Sequence, residues 1–311
     1  MDALSSLLNG PRARGAFLLR SMMSGPWSMR IEDEAPLTVV VLLTGSAFLT
    51  PERGEPARLE PGDAVVALGP DPYLVADRPD RSPQVKILPG QRCVTLEGED
   101  LADQLSQGIR SWGNSADPET IMITGTYTSA GEVSRRLLDA LPQLVVLPRT
   151  QTPSPIVDVL SAEMIKERPG QEVVLDRLLD LLLIDILRSW FTAQHDHAPG
   201  WYRATDDPQL GPVLGLIHDH PAEPWTVPGL AAAAGMSRAA LARRFTALVG
   251  ESPMSYLSGW RLALAADLLQ ESDRTLESIA REVGYGSAFA LSTAFKRHHG
   301  LSPRDYRTQA A

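Results

Sequence analysis

VGYGSAFALSTAFKRHHGLSP, residues 283–303, is the stretch that decides how this chain is read. Gly284 marks a tight turn, Ser287 is placed to cap the helix that follows, and Leu291 and Phe295 fall at i and i+4 on one face of it. The stretch holds Lys296, Arg297, His298 and His299 and no carboxylate, in a chain of net charge -9. The same pattern occurs earlier, as LAAAAGMSRAALARRFTALVGESPMSY from Leu230 against IAREVGYGSAFALSTAFKRHHGLSPRDY from Ile279. Phe245, Gly250, Pro253 and Tyr256 recur at the same intervals as Phe295, Gly300, Pro303 and Tyr306, with one extra residue in the second turn.

Each copy reads as helix, tight turn, helix. In the second, Thr275 caps a helix running to Val283, and the small Ala280 lets the following helix pack closely; Leu230, Ala231, Gly235, Ser237, Leu241 and Phe245 repeat the scheme in the first. Between them MSYLSGWRLALAADLLQ, opened by Ser252 and Pro253, predicts a helix long enough to space the units rigidly, roughly one turn of duplex DNA (~34–36 Å) apart. Charge supports that use. Residues 1–199 carry 18 Lys and Arg against 27 Asp and Glu, residues 200–311 carry 11 of each, and no Asp or Glu lies between Glu223 and Glu251 or between Glu282 and Asp305. A local cationic face can meet a polyanion although the whole chain is acidic, because fields beyond ~8 Å are screened. Two solvated helix faces are the alternative account.

Working outward, residues 14–128 are short β-type runs separated by Gly, Pro and Asp, among them LTVVVLL, AVVAL and IMITGTYT, which predict a sandwich or small barrel. Residues 156–167 and 172–193 have helical spacing, the second apolar almost all round, and AQHDHAPGWYRATDDP at 193–208 reads as a linker. The expected organisation is α+β multidomain: a β domain at 1–147, a helical connecting segment at 148–195, a linker at 196–205 and an all-α domain with two helix-turn-helix units at 206–311. The single Cys93 excludes an internal disulfide framework and fits a reducing compartment. The first residues lack a signal-peptide pattern and LLDLLLIDILRSWF is broken by charges, so a cytoplasmic location without membrane contact is expected.

SPMSYLSGWRLALAADLL followed by LESIAREVGYGS and FKRHHGLSPRDYR resembles the DNA-binding domain of the AraC/XylS family of transcription regulators, over roughly residues 206–308. ARLEPGDAVVALGPDPYLVAD at 57–77 is similar to the cupin-like domain that such regulators often carry. The resemblance implies a one-component regulator: a cupin-like barrel or sandwich sensing a small-molecule effector, a helical dimerisation segment, and two units on double-stranded promoter DNA, with RNA polymerase as a further partner. It implies base contact from Arg243, with Ala239, Ala242 and Thr293 at other groove-facing positions. An Arg or Lys often stands in the family where this chain has Thr293, so the first unit is expected to discriminate and the second to clamp. Arg238, Arg244, Ser237, Ser287, Lys296 and Arg297 are the expected phosphate contacts.

Leu175, Leu179, Leu182, Leu183, Ile186 and Trp190 are read as a homodimer seam, with cover by the β domain as the alternative. Trp27, Tyr73 and Cys93 are candidates for an effector or redox site; each also fits a plain core residue, and Cys93 has no second thiol to resolve a sulfenic acid. A metal-dependent enzyme on this scaffold needs barrel imidazoles, yet all six histidines stand at 195 or later, so no metal or other cofactor and no catalytic residue is expected. An interaction adaptor that keeps the helical domain is the remaining rival.

Overall fold

A computed structural model describes residues 16–127, 138, 141–149, 155–194, 198–271 and 273–309. The chain divides into two units, one spanning Arg12–Ala130 and Leu141–Ala193, the other built on Gln194–Ala311. The first holds strands β1 (Phe17–Met23), β2 (Ser28–Ile31), β3 (Leu37–Thr44), β4 (Ala47–Pro51), β5 (Ala57–Leu59), β6 (Ala64–Leu68), β7 (Tyr73–Ala76), β8 (Val85–Leu88) and β9 (Arg92–Thr95). A short helix α1 (Ala102–Leu105) precedes β10 (Ser111–Gly113), β11 (Thr120–Tyr127) and β12 (Leu144–Leu147). Two six-stranded sheets result, ordered β10-β1-β11-β3-β6-β12 and β5-β4-β7-β2-β8-β9. Pairing is antiparallel except where β1 meets β10 and β2 meets β8. Each ladder keeps its own edges, so the domain is a sandwich and not a closed barrel. The core between the sheets takes side chains from both, with Leu42 and Val65 from one and Leu49 and Val75 from the other.

β3 is buried along Leu37–Leu42 on both faces, which is why it reads as a continuous apolar run and not as an alternation. The facing sheet covers one side. Helix α3 (Gln171–Ala193), paired with α2 (Pro155–Met164), packs on the outer face of β3's own sheet, against β6, β11 and β12. A Cβ on Gly125 would stand 2.4 Å from Leu179 Cδ1, so the helix can lie this close only over a glycine. Tyr127 donates to Asp180 Oδ1 at 3.3 Å beside it. This corrects the expected seam: Leu175, Leu179, Leu182, Leu183 and Ile186 are buried within the chain itself, and Trp190 is half-buried with its ring edge on Phe191. Val173, Val174 and Leu181 are the large apolar residues α3 leaves exposed.

The second unit contains α4 (Gly200–Arg203), α5 (Leu210–Asp219), α6 (Val227–Ala233), α7 (Arg238–Val249), α8 (Pro253–Glu271), α9 (Leu276–Glu282), α10 (Ala288–His299) and α11 (Pro303–Gln309). It has two cores joined by α8. Tyr256, Leu257 and Trp260 pack with Leu214, Leu230, Leu241 and Phe245, while Leu262, Ala265 and Leu269 pack with Ile279, Leu291 and Phe295. Serving both cores from successive faces is what makes α8 apolar around most of its circumference. The segment read as linker is partly structural: Gly200–Arg203 is helical, Ala204 is fully buried, and Leu248 O occupies the place a Cβ on Gly200 would take. No described helix is long and apolar enough to cross a membrane.

Candidate nucleic-acid interface

The two copies fold alike. Thr226 Oγ1 accepts from Gly229 N and Thr275 Oγ1 from Ser278 N, each at 3.2 Å, starting α6 and α9. Gly235 (φ +64°) and Gly284 (φ +84°) turn the chain through the left-handed region. Ser237 and Ser287 then accept from Ala240 N and Ala290 N at 3.2 Å, starting α7 and α10. Both hydroxyls serve as caps; each keeps its own O–H to donate. Leu241 and Phe245, like Leu291 and Phe295, are buried, so the opposite faces of α7 and α10 are turned outward.

On α7 that outward face carries exposed Arg238, Ala239 and Arg243, with Ala242 half-buried. Arg238 and Arg243 make no ion pair among the described residues. Arg244 differs from its neighbours. Its Nη2 lies 2.6 Å from Asp207 Oδ2 and its Nη1 donates to Gln209 Oε1 at 2.7 Å. Burial opposes ionisation of Asp207, but the backbone amides of Leu210 and Gln209, with Arg244, outweigh it and hold the carboxyl below its ordinary value. Arg244 therefore ties α7 to the start of α5, a partner the sequence reading did not foresee.

α10 presents its cations elsewhere. Lys296 and Arg297 are exposed in the last turn, where Thr246 and Ala247 stand on α7, and they also suit the negative end of the helix dipole. Thr293, in register with Arg243, is exposed, and its Oγ1 bonds back to Phe289 O at 3.0 Å. His299 lies against Phe295, with ring centroids 4.3 Å apart, and is not a surface contact; His298 is exposed. Phe289, in register with Ala239, is 81% exposed. It is not among the groove-facing positions expected from the sequence. The signal was present in the repeat itself, since counting from Ser237 and Ser287 sets Phe289 at a groove-facing position.

A cupin family profile matches residues 2–192 and a helix-turn-helix domain profile matches residues 230–309. An AraC-like transcription regulator of Streptomyces lividans is 30% identical over 312 residues, covering 99% of this chain and 98% of that one. The chain belongs to the AraC family of transcription regulators. The HTH-type transcriptional regulator AlkR of Acinetobacter baylyi is another similar protein, 29% identical over the full length of both chains. Among solved structures, the DNA-binding domain of AdpA in complex with a target DNA is 36% identical, with a TM-score of 0.32, covering 33% of this chain and 93% of that one.

In the cupin domain, Tyr73 and Cys93 line a cavity of about 340 Å³ between the sheets. Trp27 does not line it; its side chain is consumed in the core. Burial, then the Asp33 charge, pushes the Tyr73 phenol well above its ordinary value. Burial, then Asp100, pushes the Cys93 thiol up to about 11, so it is a protonated, poorly nucleophilic group at neutral pH. Among the described residues no group of three or more His, Cys, Asp or Glu side chains is placed to hold a metal ion. His195 and His197 lie outside the described residues. His218 is a core residue, 2.9 Å from Tyr256 Oη.

Proposed function

We propose that this regulator grips promoter DNA with both units at once, α7 and α10 each entering a major groove. The observation that carries this reading is the matched pair of capped helices with outward, acid-free faces. Arg243 forks onto a guanine, Ala239 and Ala242 meet thymine methyls or groove shape, and Arg238 and Ser237 hold phosphates. On α10, Lys296, Arg297 and the Ser287 hydroxyl clamp the backbone, while Thr293 contributes little readout. Phe289 adds an apolar contact to thymine methyls, the kind of surface that gains most from leaving water. Arg244 is held by Asp207 and is the weakest of the phosphate candidates.

The protein acts in the cytoplasm as a homodimer through the exposed Val174–Leu181 edge of α3, takes a small-molecule effector in its β domain, meets RNA polymerase at the promoter and catalyses no reaction. Footprinting on DNA flanking its own gene tests the reading. Two protected major-groove segments about one turn apart on one face are expected in each half-site; a single protected segment per half-site, or none in dilute buffer, overturns it.

A further inference from the structure

The cavity between the sheets has two chemically different ends. At one, Asp33 is already engaged, its Oδ2 accepting from Gln91 at 2.7 Å and its Oδ1 from Ala35 N at 3.2 Å. Thr38 and Thr126 face each other there at 3.4 Å, and Tyr73 is hydrogen-bonded to Thr38. Hydrogen bonds within the fold use up that polar cluster. The middle is apolar, walled by side chains such as Leu19, Met29, Val40, Ile87 and Met122.

Toward the other end the lining includes the hydroxyls of Ser21, Ser106 and Ser111 together with Arg110 and Trp112, and the last two carry the strongest donors. The Trp112 indole Nε1 is buried without a hydrogen-bond partner, although Trp112 is only 8% exposed. Arg110 takes a left-handed conformation (φ +47°) and makes a single side-chain bond, to the neutral Oε1 of Gln171 at 3.3 Å, with no carboxylate paired to it among the described residues. Both groups donate, neither accepts, and one is cationic. A buried N–H left empty costs on the order of 1–3 kcal/mol, and a guanidinium at an apolar wall is satisfied best by an oxyanion.

From this we infer that the effector is a small monocarboxylate with an apolar body, its head group accepting from Arg110 and Trp112 Nε1 and its body filling the space between the sheets. The volume is at the lower end of the range for small-molecule sites, about 300–1,000 Å³. A polyol would leave most of its hydroxyls against aliphatic wall. An ammonium compound would meet Arg110 and find the one lining carboxylate already engaged. The inference rests on the effector reading above and deepens it.

Octanoate, octan-1-ol and octylamine, titrated calorimetrically into the full chain, provide the test. Octanoate is expected to bind at least about tenfold tighter than octanol, with octylamine weaker still. Arg110→Gln, which keeps a donor toward Gln171, should reduce the octanoate preference to about twofold or less. Trp112→Phe should weaken octanoate severalfold while leaving the thermal midpoint of the empty protein unchanged within a few degrees. Because Cys93 lines the same cavity and is the chain's one thiol, octanoate should also slow its alkylation by iodoacetamide. Equal binding of octanol and octanoate, a preference that survives Arg110→Gln, or Cys93 alkylation unaffected by saturating octanoate would each overturn the inference. Promoter-DNA shifts run on the same preparations separate the two readings. DNA binding with no carboxylate selectivity sinks this inference alone, and absence of DNA binding sinks the regulator geometry.

Discussion

At the scale of single residues, the interface divides into cations that are available and one that is not. Arg243 stands exposed with no ion-pair partner among the described residues, so Arg243→Ala should cost about 1–3 kcal/mol at the cognate operator and relax preference at one base pair. Gel shifts across single-base operator variants measure this; an equal loss on every variant would reassign Arg243 to a phosphate. Arg297→Ala should weaken all variants alike and flatten the salt slope by about 0.9. Asp207 is expected to have the opposite effect, because its carboxylate is paired with Arg244. Its folded-state ionisation lies below the ordinary value, so its stabilising contribution is present above that value and is lost as the pH falls. Asp207→Asn should remove this acid-dependent loss. At neutral pH the variant should be less stable yet bind DNA severalfold tighter in dilute salt, since Arg244 is released. Urea titrations between pH 3 and 7, alongside gel shifts, check both signs.

At the scale of elements, the helix-turn-helix units were legible because local chemistry and repeat agree: caps, turn glycines and the i, i+4 pairs all lie where the sequence sets them. Arg244 was not legible, because its partner is 37 residues away and no spacing rule reaches that far. The two turns look interchangeable in sequence but differ in packing. A Cβ at Gly235 would meet nothing within 4 Å, whereas one at Gly284 would lie 2.8 Å from Ala222 Cα and from Pro221 O, both backbone atoms. The loop there is held by Arg261, which donates to Pro221 O and Glu223 O at 2.7 Å, so it cannot retreat cheaply. Gly235→Ala should therefore cost only the left-handed strain, about 1–2 kcal/mol, and Gly284→Ala about 2–4 kcal/mol. Hydrogen exchange resolved on α6–α7 and on α9–α10 distinguishes them. Equal loss of protection in the two variants would show that the Pro221–Glu223 loop yields.

At the scale of the whole molecule, the question is which apolar surface remains for a second copy. An all-round apolar helix does not say in sequence whether its cover is its own sheet or a partner, and this is where the reading of α3 failed. The glycine at 125 that admits Leu179 belongs to a strand more than fifty residues upstream, so the contact has no local signature. With the leucines consumed, the remaining stripe is Val174, Leu178 and Leu181 at i, i+4 and i+7, the first and last about half exposed. Leu181→Asp places a charge on that stripe without touching the buried side of the helix. It should yield a folded monomer by sedimentation at tens of micromolar. Each protomer offers three uncommitted cations for phosphate, Arg238, Lys296 and Arg297, so the monomer should bind an isolated half-site with a log–log salt slope of about -3. The parent protein, as the proposed dimer on a two-half-site operator, should show about twice that slope, because twice as many counterions are displaced. A Leu181→Asp protein that stays dimeric, or a parent whose slope on the full operator equals that on a half-site, would move the pairing surface off α3.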